Sequence, residues 1–127
     1  MKTAIESKKV PAPIGPYSQA IVANGMVYTS GQIAIDPSTG EYTPSSVEDE
    51  AELVMKNLEA LLEASGADFG SVVKTSIFLQ NMSDFAQVNA VYAKYMVAPF
   101  PARETVEVAQ LPKSVKVEIS MIAIVKS

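Results

Sequence analysis

The chain has 127 residues, of which 48% are hydrophobic, and a formal net charge of −4. These values predict a single packed domain over residues 1–127 rather than a disordered chain. They weigh against nucleic acid as a partner, because phosphate binding needs a basic face and the sequence shows no Lys/Arg cluster.

A membrane location is not indicated either. No run of about 18 apolar residues is present, which is the length that a spanning helix requires. Residues 1–6 lack the apolar core of a signal peptide. We therefore expect a cytoplasmic protein with no membrane partner.

The sequence contains no cysteine and no histidine. Disulfides, thiol nucleophiles and thiolate metal sites are excluded, as are Ser-His-Asp chemistry and zinc sites with imidazole ligands. We expect no metal site. Any catalysis must use carboxylates, Arg, Lys, Tyr, hydroxyls, backbone groups or water.

The first part of the chain predicts three strands. Residues 3–5 form a short one, and residues 20–23 and 26–30 form a hairpin. Asn24-Gly25 joins the hairpin strands, and this dipeptide tolerates the positive φ of a type I′ turn.

The loops around this hairpin have distinct chemistry. Three prolines in residues 11–16 predict a stiff loop that leads into Tyr17. Gly31 follows the hairpin and predicts a β-bulge or a close backbone approach. Residues 33–35 predict the end of a strand, and residues 36–40 predict a turn.

Two amphipathic helices are predicted, with a strand at residues 72–79 between them. Ser45 or Ser46 caps the first helix, and Ser83 or Asp84 begins the second. One stripe of the second helix, interpreted as core, consists of Phe85, Val88, Asn89, Tyr92 and Met96.

The last two strands are predicted at residues 101–109 and 115–121, paired antiparallel across a turn at residues 110–114. Their valines and isoleucines alternate with polar residues, so the apolar sets should share one face. The pair would then offer a guanidinium and a carboxylate together, which fits a small-anion site and equally fits a solvated face. The polar face would hold Arg103, Thr105 and Glu107 with Lys116, Glu118 and Ser120.

The element order is therefore β-β-β-α-β-α-β-β. It predicts an α/β (α+β) domain, with a mixed sheet of about six strands and two helices on one face. Ile122 and Ile124 continue the polar face of the last strand, and no predicted element remains to cover them. We expect oligomerisation through sheet edges or faces.

Several separated segments resemble the RidA-type reactive intermediate deaminases, which form the YjgF-like family. The resemblance covers nearly the whole chain, with its motifs in the same order. The segments are Ile14-Gly-Pro-Tyr-Ser-Gln, Thr29-Ser-Gly-Gln-Ile, Asp84-Phe-Ala-Gln-Val-Asn-Ala-Val-Tyr, and Pro101 to Lys113 followed by Val117-Glu118-Ile119.

The resemblance implies a chorismate-mutase-like fold and a homotrimer with ligand clefts between subunits. It implies hydrolysis, at a C–N bond, of 2-iminobutanoate, 2-iminopropanoate and enamines such as 2-aminoacrylate. Pyridoxal-phosphate enzymes of amino-acid metabolism release these intermediates, and the products are 2-oxo acids and ammonia. The resemblance implies no cofactor for the deaminase itself.

The resemblance also implies roles for individual residues. Arg103 matches the arginine that grips the substrate carboxylate, for which its planar fork is suited. Glu118 matches the acid that positions a water, a base available without histidine. The other implied cleft positions are Tyr17, Ser30, Gly31, Asn89 and Thr105.

Thr105 departs from the family pattern, because related deaminases often have Cys there. If the backbone N–H at this position binds the ligand, Thr changes little. If a thiol assists proton transfer, this protein is slower.

Each of these residues also has an ordinary interpretation. Arg103 could form a surface ion pair with Glu107 or Glu118. Glu118 alone could be a solvated strand residue, and Gly31 could be only a bulge. Asn89 could cap a neighbouring loop, and Tyr17 could pack in the core.

Two other functions remain open. A binding or regulatory module could hold a small carboxylate in the same cleft without turnover. An endoribonuclease or translation-inhibitor role has been attached to family members, but the acidic balance and the missing histidine weigh against it.

Overall fold

Six strands form one mixed sheet in the computed structural model, which describes residues 1–126. In chain order they are Thr3–Ile5 (β1), Ala20–Ala23 (β2), Met26–Thr29 (β3), Val72–Leu79 (β4), Ala102–Glu107 (β5) and Val117–Ile124 (β6). The order across the sheet is β1-β2-β3-β6-β4-β5, and only β4 and β5 pair in parallel. The predicted element order and mixed six-stranded sheet are confirmed.

Two helices cover one face of this sheet: Val47–Ala64 (α1) and Phe85–Tyr95 (α2). Ser46 caps α1, and its hydroxyl accepts a hydrogen bond from the Asp49 N–H. Asp84 precedes α2, so both predicted helix starts are confirmed. Buried residues of both helices pack against those of β4 and β6, which alternate at Thr75, Ile77, Leu79, Val117, Ile119 and Met121.

Local turn chemistry produces the first hairpin as predicted. Asn24 and Gly25 have φ values of 51° and 74°, which the connection between β2 and β3 requires. The strand end expected at residues 33–35 is reduced to one isolated bridge between Ile35 and Tyr42.

The predicted antiparallel pairing of the last two strands is wrong. β4 lies between β5 and β6, parallel to the first and antiparallel to the second. Residues 108–116 therefore cross the end of β4 instead of forming a hairpin. Gln80 fixes this crossing, because its side-chain amide donates to the Ala109 carbonyl and accepts from the Leu111 N–H.

This insertion also overturns the predicted arrangement of polar residues. Arg103 pairs with buried Thr75 on the helix side, whereas Glu118 pairs with Phe78 on the other side. Residues paired across a sheet point to the same face, so Arg103 and Glu118 lie on opposite faces. Glu107 does not face Lys116, because it pairs with Leu79 and accepts a hydrogen bond from the Met82 N–H.

The sheet face opposite the helices, the open face, carries exposed apolar side chains. Ile122 and Ile124 lie there as predicted, next to Tyr28 and Met26 of β3. Val106 does not share a face with the buried apolar residues of β6 as predicted for the last two strands, because it points to the open face and is 40% exposed. None of the helices in residues 1–126 is both long and apolar enough to cross a membrane.

Candidate functional site

Four of the sequence-predicted site residues meet in one cleft on the open face. The cleft has a volume of about 520 Å³ and lies between the N-terminal loop and the start of β6. We call it the Glu118 cleft. Its lining includes Tyr17, Ser30, Gly31, Ile33, Lys113 and Glu118.

Gly31 and Glu118 are in direct contact. A Cβ added at Gly31 would lie 2.6 Å from Oε2 of Glu118 and 2.7 Å from its Cδ, closer than any real side chain tolerates. The next residue, Gln32, exchanges both backbone hydrogen bonds with Ile119, at 2.8 and 3.1 Å. The predicted close approach is thus confirmed, and the glycine seats the carboxylate against bare backbone.

Burial sets the ionisation of Glu118. Its side chain is partly buried, and the loss of solvation raises its pKa above the ordinary glutamate value. Within residues 1–126 it forms no ion pair that would oppose this shift. A carboxyl whose pKa moves toward neutrality is suited to accept a proton from water.

The other two predicted residues of this cleft have different situations. Tyr17 is 53% exposed, so its interpretation as core is wrong, and its hydroxyl accepts a hydrogen bond from the Ile14 N–H at 3.3 Å. The Ser30 hydroxyl donates to the Ser18 carbonyl at 2.6 Å, so this oxygen helps to hold the loop.

Gln19 shapes the cleft wall and was not predicted. It is 4% exposed, and its amide nitrogen donates to the carbonyls of Ser7, Val10 and Pro11 while its oxygen accepts from the Ser7 N–H. This one amide fastens the proline-containing loop to β2. Its partners are backbone atoms distant in sequence, so no side-chain pattern could have identified them.

Two of the remaining predicted residues, Asn89 and Arg103, lie in a second depression on the helix side of the sheet edge. We call it the Arg103 groove. It has a volume of about 430 Å³ and is lined by Asn89, Tyr92, Met96, Phe100, Pro101 and Arg103. Thr105 follows on the same face of β5, and its hydroxyl oxygen is buried without a hydrogen-bond partner in the described residues.

Arg103 forms no ion pair within residues 1–126. A guanidinium nitrogen donates to Oδ1 of Asn89 at 2.8 Å, and no carboxylate of residues 1–126 lies within 4 Å of it. Its interpretation as a surface ion pair with Glu107 or Glu118 is therefore wrong. Asn89 binds Arg103 instead of capping a loop, and most of the guanidinium donors stay free for a ligand.

The stripe of α2 that was interpreted as core also takes part in this groove. The guanidinium carbon of Arg103 lies 5.1 Å from the ring centre of Tyr92 and 5.6 Å from that of Phe85. Phe85 is 37% exposed, so its core interpretation was wrong. The helical spacing of Phe85, Asn89 and Tyr92 predicts that they share one face of α2. It does not predict that the guanidinium of Arg103, on β5, lies against that face.

The arrangement places the Arg103 guanidinium and the partly buried Glu118 carboxyl at two separate places on one chain. Among the described residues there is no group of three or more acidic, Cys or His side chains that could hold a metal ion.

Comparison with known proteins gives consistent matches. The family model described as Endoribonuclease L-PSP matches residues 7–125. Reactive Intermediate Deaminase A, chloroplastic, of Arabidopsis thaliana is 52% identical over 122 residues, which is 96% of this chain and 65% of that protein. The 2-iminobutanoate/2-iminopropanoate deaminase of Mus musculus is 44% identical, over 98% of this chain and 92% of that protein.

A solved structure extends the similarity to three dimensions. The crystal structure of E. coli TdcF with bound serine superposes with a TM-score of 0.90 at 40% identity. The match covers 98% of this chain and 99% of that chain.

Proposed function

The chain belongs to the Endoribonuclease L-PSP family, the YjgF-like family that includes RidA-type deaminases, and from this premise we propose that it hydrolyses reactive imines. The proposed substrates are 2-iminobutanoate, 2-iminopropanoate and its enamine form 2-aminoacrylate. The products are the corresponding 2-oxo acids and ammonia. The observation that carries the proposal is that, within residues 1–126, Arg103 forms no ion pair and the partly buried Glu118 has none to offset its burial.

Arg103 binds the substrate carboxylate. A 2-imino acid presents two carboxylate oxygens, and the guanidinium offers parallel donors in the same plane. One donor is taken by Asn89, which leaves the rest of the fork for the ligand. Tyr17, Ser30, Gly31 and Thr105 remain proposed contacts around the rest of the substrate.

Glu118 orients and deprotonates the attacking water. The water oxygen adds to the C=N carbon, which the protonated iminium already activates, and Glu118 receives its proton. Collapse of the resulting tetrahedral carbinolamine breaks the C–N bond after that proton reaches the nitrogen, and the hydroxyl proton passes to the departing ammonia as the C=O bond forms. One water is consumed, one 2-oxo acid and one ammonium leave, and no cofactor is needed.

Two copies of the chain complete each site. Arg103 and Glu118 lie on opposite faces of one sheet, so one small molecule cannot bridge them within a single chain. The apolar side chains of the open face, with Tyr28 45% and Ile124 48% exposed, would be covered by the same association. The proposed assembly is a cyclic homotrimer with its clefts between subunits.

A non-catalytic carboxylate-binding module is the second candidate. The serine bound in the E. coli TdcF crystal structure favours it, because serine is a small amino acid with a carboxylate. Both candidates need Arg103, and only the deaminase needs Glu118 as a base. RNA cleavage, which the family name describes, is disfavoured by the net charge of −4 and the absence of histidine.

Imine turnover separates these candidates. A pyridoxal-phosphate threonine dehydratase generates 2-iminobutanoate from threonine in the same solution. Ammonia release is followed with and without the protein. We expect release faster than uncatalysed hydrolysis, in proportion to protein concentration and reduced in Glu118→Gln. Binding of 2-oxobutanoate without any acceleration would support the binding module instead.

The proposed compartment is the cytoplasm. The name of the Arabidopsis thaliana relative places that protein in the chloroplast, so the compartment differs among relatives. Fractionation of cells that express the chain tests this point.

A further inference from the structure

Arg103 is the sole arginine of the chain, and its surroundings are unusual for an exposed edge-strand residue. Two aromatic rings lie within 6 Å of its guanidinium carbon, Tyr92 at 5.1 Å and Phe85 at 5.6 Å. The Asn89 oxygen accepts from one nitrogen at 2.8 Å. All three partners come from one face of α2, at positions 85, 89 and 92.

Tyr92 is itself held in place by a contact with β4. It is 7% exposed, and its hydroxyl contacts the hydroxyl of fully buried Thr75 at 3.0 Å. Thr75 pairs with Arg103 across β4 and β5. The ring is therefore fixed relative to the strand that carries the guanidinium.

An arginine side chain on an edge strand normally loses much rotamer freedom when it binds a ligand. Here the contacts to the rings and to Asn89 restrict it before any ligand arrives. The rings attract the cation through their faces and leave its N–H edge available, and the edge is the part that a carboxylate needs.

We propose that Phe85, Asn89 and Tyr92 are positioning residues that fix the Arg103 guanidinium for carboxylate binding, with the ring of Tyr92 as the main support. The Tyr92 hydroxyl is secondary, since its hydrogen bond goes to Thr75 and serves only to anchor the ring. The role in turnover rests on the proposed function, but the positioning of Arg103 does not.

The test uses the single arginine as a spectroscopic probe. A ¹H–¹⁵N spectrum contains one arginine Nε–H signal, which belongs to Arg103. Its shift and its heteronuclear NOE are measured in the parent, Tyr92→Leu, Tyr92→Phe and Phe85→Leu. Dissociation constants for 2-oxobutanoate are measured by calorimetry on the same samples.

Tyr95→Leu is the matched control. Tyr95 lies on the same helix, but its ring contacts Phe69 at 5.7 Å and its hydroxyl donates to Glu52. This variant loses a comparable aromatic contact without touching Arg103.

We expect an upfield, ordered Nε–H signal in the parent, in Tyr92→Phe and in Tyr95→Leu. In Tyr92→Leu the signal moves toward that of a free arginine and loses order, and 2-oxobutanoate binds about tenfold more weakly. Phe85→Leu, at a partly exposed position, gives a smaller change in the same direction. Tyr92→Phe binds within about twofold of the parent.

An Arg103 Nε–H signal that is unchanged in both Tyr92→Leu and Phe85→Leu would overturn the proposal. So would a change of equal size in Tyr95→Leu, because the effect would then be a general loosening of α2. If the parent does not bind 2-oxobutanoate, the proposed function fails, while the Nε–H signal alone decides whether the rings position Arg103.

Discussion

Replacing Gly31 by alanine should disable the site while leaving the fold intact. The new Cβ would lie 2.6 Å from Oε2 of Glu118, whereas unstrained contacts begin at about 3.5 Å. Gly31 does not occupy the left-handed region, so alanine causes no backbone strain there. The whole perturbation therefore falls on the Glu118 carboxylate, which must move by about 1 Å.

This displacement is inexpensive for stability and costly for catalysis. The carboxylate is the free end of a flexible side chain and can rotate away, so we expect a change of less than about 1 kcal/mol in the free energy of unfolding. A base displaced by about 1 Å costs on the order of 10²-fold in rate. That loss corresponds to about 2.7 kcal/mol of transition-state stabilisation.

The assay compares kcat/KM for dehydratase-generated 2-iminobutanoate with urea denaturation of the same samples. Gly70→Ala is the control, since its Cβ would meet only Asp68 Oδ1 at 3.3 Å and its φ is also outside the left-handed region. Parent-like turnover in Gly31→Ala would refute the requirement for this placement of Glu118. An unfolded variant would show that the glycine serves the fold.

Four further outcomes follow from the structure. Arg103→Ala should lower kcat/KM by at least about 10²-fold, since charge-assisted hydrogen bonds contribute about 1.5–3 kcal/mol each. Arg103→Lys should restore part of the activity, and the melting temperature of Arg103→Ala should be unchanged. Parent-like kinetics in Arg103→Ala would contradict its role in binding the substrate carboxylate. In the parent the acid limb of the pH–kcat/KM profile should lie above pH 4.5, because burial raises the pKa of Glu118, and Glu118→Gln should abolish this limb while 2-oxobutanoate still binds. Burial raises the pKa of Glu118 above its value in the unfolded chain, so the folded state loses stability as pH rises through the folded-state pKa. Glu118→Gln should therefore be more stable than the parent at pH 7, and the difference should shrink toward pH 4. The opposite order in urea denaturation would contradict the burial effect. Glu50→Ala should lower the free energy of unfolding by about 3 kcal/mol, because the Tyr42 hydroxyl and Lys116 lose the fully buried carboxylate that they bind. A loss below about 1 kcal/mol in urea denaturation would show that these contacts are dispensable.

Local chemistry made much of the fold predictable from the sequence. The Asn24-Gly25 turn, the Ser46 cap and the alternation in β4 each depend on neighbouring residues, and each was identified correctly. Strand pairing depends on distant residues. Alternation shows which residues of a strand share a face, but it does not name the neighbouring strand.

The β5 and β6 error follows from that limit. Their short separation favoured a hairpin, but buried β4 takes the position between them. Val106 then points to the open face, and Arg103 points to α2. The sequence identifies Arg103 and Glu118 as candidates, whereas the opposite faces on which they lie required the topology.

The most direct test of the shared site mixes two inactive variants. Arg103→Ala and Glu118→Gln are refolded together in equal amounts, so that some assemblies pair an intact Arg103 of one copy with an intact Glu118 of its neighbour. For random association into closed rings, about one quarter of the sites should be intact, and imine hydrolysis should recover to about that fraction of the parent rate. Activity no higher than that of either variant alone would contradict a site shared between copies.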